Sequence, residues 1–151
     1  MARNSTFIAS PPAAVWAVLE DPYSYPRWIV GSDRTLSADR TWPAPGSAFR
    51  VRLPLGFTDS TKSRELRSGT RIVLDAAAGI FGPARVTITT EPREGGTRVT
   101  MVEDPAGKLA PLRYVPAVHL LLRLRNIESL RRLRKLVETG GPTNSSEPRG
   151  D

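Results

Sequence analysis

The sequence contains no cysteine and only one histidine, His119. The absence of cysteine excludes disulfide bridges, thiolate zinc sites and a cysteine nucleophile. Any metal site would have to rely on carboxylates, and Asp and Glu form no tight cluster along the chain, so we expect neither a metal nor a cofactor. These absences remove many enzyme classes.

A long apolar run is missing as well. No stretch approaches the roughly 20 apolar residues of a membrane-spanning helix, so we expect no transmembrane segment. The first 19 residues resemble a signal peptide only faintly, because Pro11 and Pro12 interrupt the apolar part. We therefore expect a mature, cytoplasmic protein.

The size and composition of the chain are those of one globular domain. It has 151 residues, of which 39% are hydrophobic and 25% charged, enough for one substantial core. We expect a single domain over residues 1–139. Residues 140–151 are rich in Gly, Pro, Ser and Asn without an apolar anchor, which predicts a disordered tail.

The net charge is +7, and 19 of the 22 basic residues are arginine. They are scattered over most of the chain, as on a solvated surface, and only the stretch from Arg123 to Lys135 is dense. That stretch leaves open a basic surface module that binds nucleic acid or anionic lipid. Aromatic residues do not interleave with it, which argues against nucleic acid. Leu121 and Leu124 suggest a possible homodimer.

Hydrophobic periodicity divides the chain into three parts. A short first strand precedes two short helices, one ending at Asp21-Pro22 and one ending at Gly31. After Gly31 the period changes to two and continues to about Glu103, which predicts an antiparallel meander. Its clearest strand is Ser47 to Phe57. One face of that strand carries Phe49, Val51, Leu53, Leu55 and Phe57.

The last part, Pro111 to Glu138, returns to the helical period, with Pro116 either kinking the helix or marking its start. The predicted inward face carries Leu112, Val115, His119, Leu122, Asn126, Leu130, Leu133 and Val137. The predicted opposite side carries Leu121, Arg125, Glu128, Arg132 and Lys135.

The order of these elements, and the residues at which they begin and end, resemble those of the START-like (SRPBCC) superfamily, which includes polyketide cyclases and dehydrases. The resemblance spans about residues 3–139. It rests on Ser10-Pro11-Pro12-Ala13-Ala14-Val15-Trp16, Asp21-Pro22, Trp28, the turn and strand from Gly96 to Glu103, Arg125-Asn126, and Leu130-Arg131-Arg132-Leu133. The resemblance implies an α+β helix-grip fold. In that fold a curved antiparallel sheet of about seven strands surrounds a long C-terminal helix, with two short helices after the first strand.

The resemblance also implies an elongated cavity that binds a small hydrophobic or amphipathic molecule, such as a lipid, polyketide or isoprenoid. We expect the following residues to line it: Trp28, Phe49, Val51, Leu53, Phe57, Leu74, Met101, Tyr114, His119, Leu122, Arg123 and Asn126. For each apolar member, ordinary core packing is the alternative.

A second possible function is an enzyme of polyketide cyclase, aromatase or dehydratase type. It would use no metal and no covalent intermediate, and His119, Arg123 and Asn126 would polarise carbonyl groups of a confined chain. No catalytic motif of that superfamily matches this sequence residue by residue. A Glu103–His119 acid–base pair is a further possibility, although strand alternation does not fix where Glu103 faces.

Overall fold

In the part of the chain that the structure describes, the N-terminal strand and the alternating middle form an antiparallel sheet of seven strands in the order β1-β7-β6-β5-β4-β3-β2. The computed structural model describes residues 2–77 and 82–140. The predicted tail, apart from Gly140, therefore lies outside the described residues. The strands are β1 (Ala2–Ile8), β2 (Arg34–Ala38), β3 (Ala48–Arg52), β4 (Thr58–Arg67), β5 (Arg71–Ala76), β6 (Ala84–Arg93) and β7 (Gly96–Pro105).

Two short helices follow the first strand, and one long helix follows the last. Helix α1 is Pro12–Leu19, helix α2 is Tyr25–Trp28, and helix α3 is Pro116–Glu138. The curved, unclosed sheet and the long C-terminal helix confirm the α+β helix-grip architecture. Within the described ranges, no helix is both long and apolar enough to cross a membrane.

Pro116 marks the start of α3 and does not kink it. It occupies the first turn of the helix, where the missing backbone N–H leaves no hydrogen bond unmade and the fixed φ suits the helix. The helix ends at Glu138, and Gly140 then takes a positive φ of 113°, a conformation that glycine adopts at little cost. Both ends therefore follow from local sequence.

The core lies between the concave face of the sheet and the three helices. β1 pairs with β7 along its whole length, and α3 packs against β1. The two strands approach so closely at one end that a Cβ on Gly96 would lie 2.1 Å from the carbonyl oxygen of Ile8. Only glycine fits there. β1 thus forms one edge of the sheet, and α3 packs against it.

The predicted continuation of the third strand to Phe57 is wrong. β3 ends at Arg52, and Pro54–Gly56 form a 3-10 turn in which Leu55 has a φ of +67° and is 95% exposed. Phe57 is 66% exposed. Proline fixes φ near the helical value, and so Pro54 and Gly56 favour a turn that ends the strand, although the apolar alternation continues to Phe57.

Candidate functional site

The interior of the protein is formed by buried side chains of the sheet, of α2 and of α3. Seven of the twelve predicted ligand-binding residues are buried in it: Trp28, Phe49, Val51, Leu74, Met101, Leu122 and Asn126. Five of these seven belong to one continuous apolar cluster, whereas Leu122 is buried but outside it. Leu122, on the first half of α3, is therefore buried without belonging to that cluster.

Aromatic rings connect α2 to the sheet. The ring of Tyr25 lies 5.0 Å from that of Trp28 and 4.8 Å from that of Phe49, and Trp42 stands edge-on to Phe49 at 4.6 Å. The Tyr25 hydroxyl donates to the carbonyl oxygen of Leu19 at 2.9 Å, and burial raises the pKa of Tyr25 well above its usual value. This cluster fixes the position of the Trp28 indole.

Two buried hydrogen-bond donors at the junction of α2 and α3 have no partner among the residues that the structure describes. They are Nε1 of Trp28, whose side chain is fully buried, and Nδ2 of Asn126, which is 3% exposed. A buried acceptor, Oδ1 of Asn4 on β1, is likewise without a partner there. An unmade buried hydrogen bond costs about 1–3 kcal/mol, and such groups are rare enough to call for a partner.

The end of α2 is tied to α3 on both sides of Asn126. The Val30 amide donates to Oγ of Ser129 at 3.1 Å, and Nε of Arg125 donates to the Val30 carbonyl at 3.1 Å. Arg125 also approaches the buried carboxylate of Glu103 on β7, with 3.6 Å between Nη1 and Oε1. Asn126 therefore lies, along α3, between two residues that are hydrogen-bonded to the end of α2, Arg125 and Ser129.

The prediction that Arg125 lies on the side of α3 opposite the sheet is wrong. Its side chain is only 25% exposed and pairs with Glu103, whose side chain is 6% exposed. Arg125 follows Leu122 by three residues, which places it about 60° from that inward residue on a helical wheel. A helical wheel centred on Leu122 would therefore have predicted Arg125 at the edge of the buried face of α3.

The proposed trio of His119, Arg123 and Asn126 does not gather in the interior. Asn126 is buried, His119 is half-buried and Arg123 is exposed. Glu103 pairs with Arg125, so the structure gives no support to the possible Glu103–His119 acid–base pair. Of the other predicted site residues, Leu53 is half-buried, whereas Phe57 and Tyr114 are exposed.

Sequence reasoning missed two residues that shape this region. Trp42 lies in the loop between β2 and β3, where no periodicity signals burial, yet it is 8% exposed and its Nε1 donates to the Leu19 carbonyl at 3.3 Å. Glu103 appeared only as a possible acid–base partner. Its position at the end of an alternating apolar run was the available signal. Among the described residues, no three His, Asp or Glu side chains are grouped so that they could hold a metal.

The family model for polyketide cyclase / dehydrase and lipid transport matches residues 2–138. The chain belongs to this family. Among curated protein sequences, no significant match is found. The family assignment and the observed sheet and helices agree with the START-like resemblance read from the sequence.

Solved structures share the fold at low sequence identity. Protein NE0264 from Nitrosomonas europaea superposes with a TM-score of 0.72 at 18% identity, over 91% of this chain and 93% of that one. DynU16, from the dynemicin biosynthetic locus, gives 0.70 at 18% identity, over 93% of this chain and 48% of that one. Ara h 8.0201 gives 0.69 at 17% identity, over 91% and 96%. These likenesses show the fold of this family member.

Proposed function

We propose that the protein binds a small hydrophobic or amphipathic molecule between the concave face of the sheet and α3. Membership of a family named for polyketide cyclases and lipid transport supports this class of ligand. So does the apolar lining from the sheet, with a few polar groups at one corner, which is the usual make-up of a small-molecule site.

The unpartnered donors of Trp28 and Asn126 carry the proposal. Both are buried, Trp28 on α2 and Asn126 on α3, and Asn126 directly follows Arg125 of the Glu103–Arg125 pair. A carbonyl, carboxylate or hydroxyl oxygen of a ligand would accept from them and remove the cost of leaving them unpaired. A pure hydrocarbon would not, so the preferred ligand has one oxygen-bearing end.

All twelve predicted residues remain in the proposed ligand-binding site, and their burial separates them into two groups. Trp28, Phe49, Val51, Leu74, Met101, Leu122 and Asn126 would contact the ligand inside. The remaining five, Leu53, Phe57, Tyr114, His119 and Arg123, would stand nearer the surface, where the ligand enters.

A titration with dodecanoic acid and dodecanol tests this site. We expect saturable binding by calorimetry, and we expect Asn126→Leu to weaken it about tenfold because one hydrogen bond is lost. The same change should leave stability unchanged or raise it by about 1 kcal/mol, since it removes an unpaired buried donor. Lys135→Leu, at an exposed position of the same helix, is the matched control. Binding that is absent, or equally altered by both changes, would refute the proposal.

The second candidate function, a cyclase, aromatase or dehydratase, rests on the family name and on Asn126, the buried member of its three proposed catalytic residues. If it is correct, His119→Ala should abolish cyclisation of a poly-β-ketone substrate, measured by product analysis. Unchanged turnover would count against it.

The third candidate is a basic surface module that binds nucleic acid or anionic lipid through the stretch from Arg123 to Lys135, and the ion pairs of that stretch weaken its nucleic-acid form. Four of the six basic residues from Arg123 to Lys135 already face carboxylates: Arg125 faces Glu103, Arg131 and Arg132 face Glu128, and Arg134 faces Glu138. Less positive charge therefore remains for phosphates than the sequence suggests. If binding to random duplex DNA depended steeply on salt concentration, that result would support the nucleic-acid function.

A further inference from the structure

Apolar side chains are exposed in one short segment of the chain. Twelve large hydrophobic residues are exposed in the described part of the protein, and seven of them fall between Leu112 and Ile127. Single exposed apolar residues are ordinary on a protein surface, but such a concentration marks an interaction site. The segment covers the approach to α3 and its N-terminal half.

The exposed residues of this segment form a stripe on α3. Leu120, Leu124 and Ile127 recur at helical spacing and are 55%, 54% and 46% exposed, and Leu121 beside them is 52% exposed. Tyr114, just before the helix, is 74% exposed. These five residues are here named the α3 apolar patch. Leu122 and Asn126 occupy the inward face, so the patch is not part of the interior.

The segment that carries the patch is basic, and the first acidic residue after it, Glu128, is engaged with Arg131 and Arg132. From Pro105 to Ile127 the chain has no acidic residue and four basic ones, Lys108, Arg113, Arg123 and Arg125. Arg125 is engaged with Glu103, whereas Arg123 is exposed within the patch segment. Leucines with an aromatic residue on one side and basic residues around them are typical of helices that lie in a membrane interface.

We propose that the α3 apolar patch docks the protein on an anionic lipid membrane. The leucines would enter the boundary between headgroups and acyl chains, and Arg123 would contact lipid phosphates. A second copy of the chain fits less well, because pairing two such patches would bring two basic segments together, and the neighbouring carboxylate of Glu128 is already engaged with Arg131 and Arg132. Nucleic acid offers phosphates but no apolar layer for four exposed side chains. The leucines of the patch lie outside the buried interior, and although Tyr114 and Arg123 also belong to the proposed entrance of the ligand site, membrane docking does not require a ligand to bind there.

Vesicle flotation with the full-length protein tests the docking surface. We expect binding to phosphatidylcholine vesicles that contain phosphatidylglycerol and much weaker binding to phosphatidylcholine alone. The double variant Leu120→Ser/Leu124→Ser should lower partitioning at least tenfold, because two apolar side chains no longer insert. Arg123→Gln should lower it about fivefold on the anionic vesicles only.

The control is Tyr23→Ser/Leu36→Ser, which removes two exposed apolar side chains outside the segment and should leave partitioning within about twofold of the unmodified chain. Circular dichroism checks that every variant is folded. The proposal is overturned if the unmodified protein does not float with anionic vesicles, or if the control matches the patch variant. It is also overturned if the patch variant converts a dimer to a monomer in analytical ultracentrifugation, or if the patch variant loses affinity for duplex DNA and not for vesicles.

Discussion

The two halves of α3 have opposite relations to the rest of the molecule. The second half buries Leu130, Leu133, Leu136 and Val137 in the apolar cluster, and its outward charges pair with one another. The first half buries Leu122 and Asn126, leaves one donor unpaired and exposes a row of leucines. One regular helix therefore serves as a structural anchor at one end and a candidate binding element at the other.

The largest expected effect separates the two halves by stability. Leu133→Ala should lower the free energy of unfolding by about 3 kcal/mol, because it opens a cavity at a fully buried position. Leu124→Ala, the same change in the exposed stripe, should alter it by less than about 0.5 kcal/mol. Urea denaturation measures both. Equal losses would show that the first half is packed like the second.

A smaller effect concerns the ion pair that ties the first half to β7. Glu103→Gln should lower the free energy of unfolding by about 2 kcal/mol, since it leaves the half-buried Arg125 without its charged partner. The control is Asp75→Asn, which breaks the exposed contacts with Arg64 and Arg85 and should cost less than about 1 kcal/mol. If the two losses are equal, the Glu103–Arg125 pair does not act as a buried brace.

The smallest effect concerns acid stability of the second half. Hydrogen bonds from Arg131 and Arg132 lower the pKa of Glu128 to about 2. As pH falls, the unfolded chain binds this proton before the folded chain does, so the contribution of Glu128 is complete above its ordinary pKa of 4.5 and is lost as pH falls toward 2.

Glu128→Gln should therefore make the midpoint of thermal unfolding fall less steeply between those pH values. Glu94→Gln, in the exposed turn between β6 and β7, removes a carboxylate elsewhere and should leave the slope as it is. A slope unchanged by Glu128→Gln would mean that these surface pairs add nothing to the stability of α3.

Much of the fold could be predicted because its signals are local or periodic. Alternation located the strands that contain Phe49, Leu74 and Met101, and the apolar spacing around Leu130 located α3. The prediction failed at Phe57 because alternation reports a repeat but not where a 3-10 turn breaks it. Burial of Trp42 could not be predicted either, since its neighbours show no period and its environment is supplied by Tyr25 and Phe49.

The candidate site was less predictable than the fold. Asn126 could be placed on the inward face of α3 by spacing alone, but its unpaired donor depends on what lies around it in the folded chain. Arg125 shows the same limit, because its partner Glu103 is 22 residues away in sequence and on another element. The exposure of Leu120 and Leu124 could not be predicted either, because it depends on whether another element of the folded chain packs over them.

The sequence by itself determined the succession of strands and helices, the helical period of α3 and the resemblance to the family, because these depend on side-chain periodicity and backbone conformation within a few residues. Only the tertiary structure decided which charges are paired, which buried donors lack a partner and which leucines stay exposed. Those properties arise from contacts between distant segments, which are fixed only when the sheet and the helices pack.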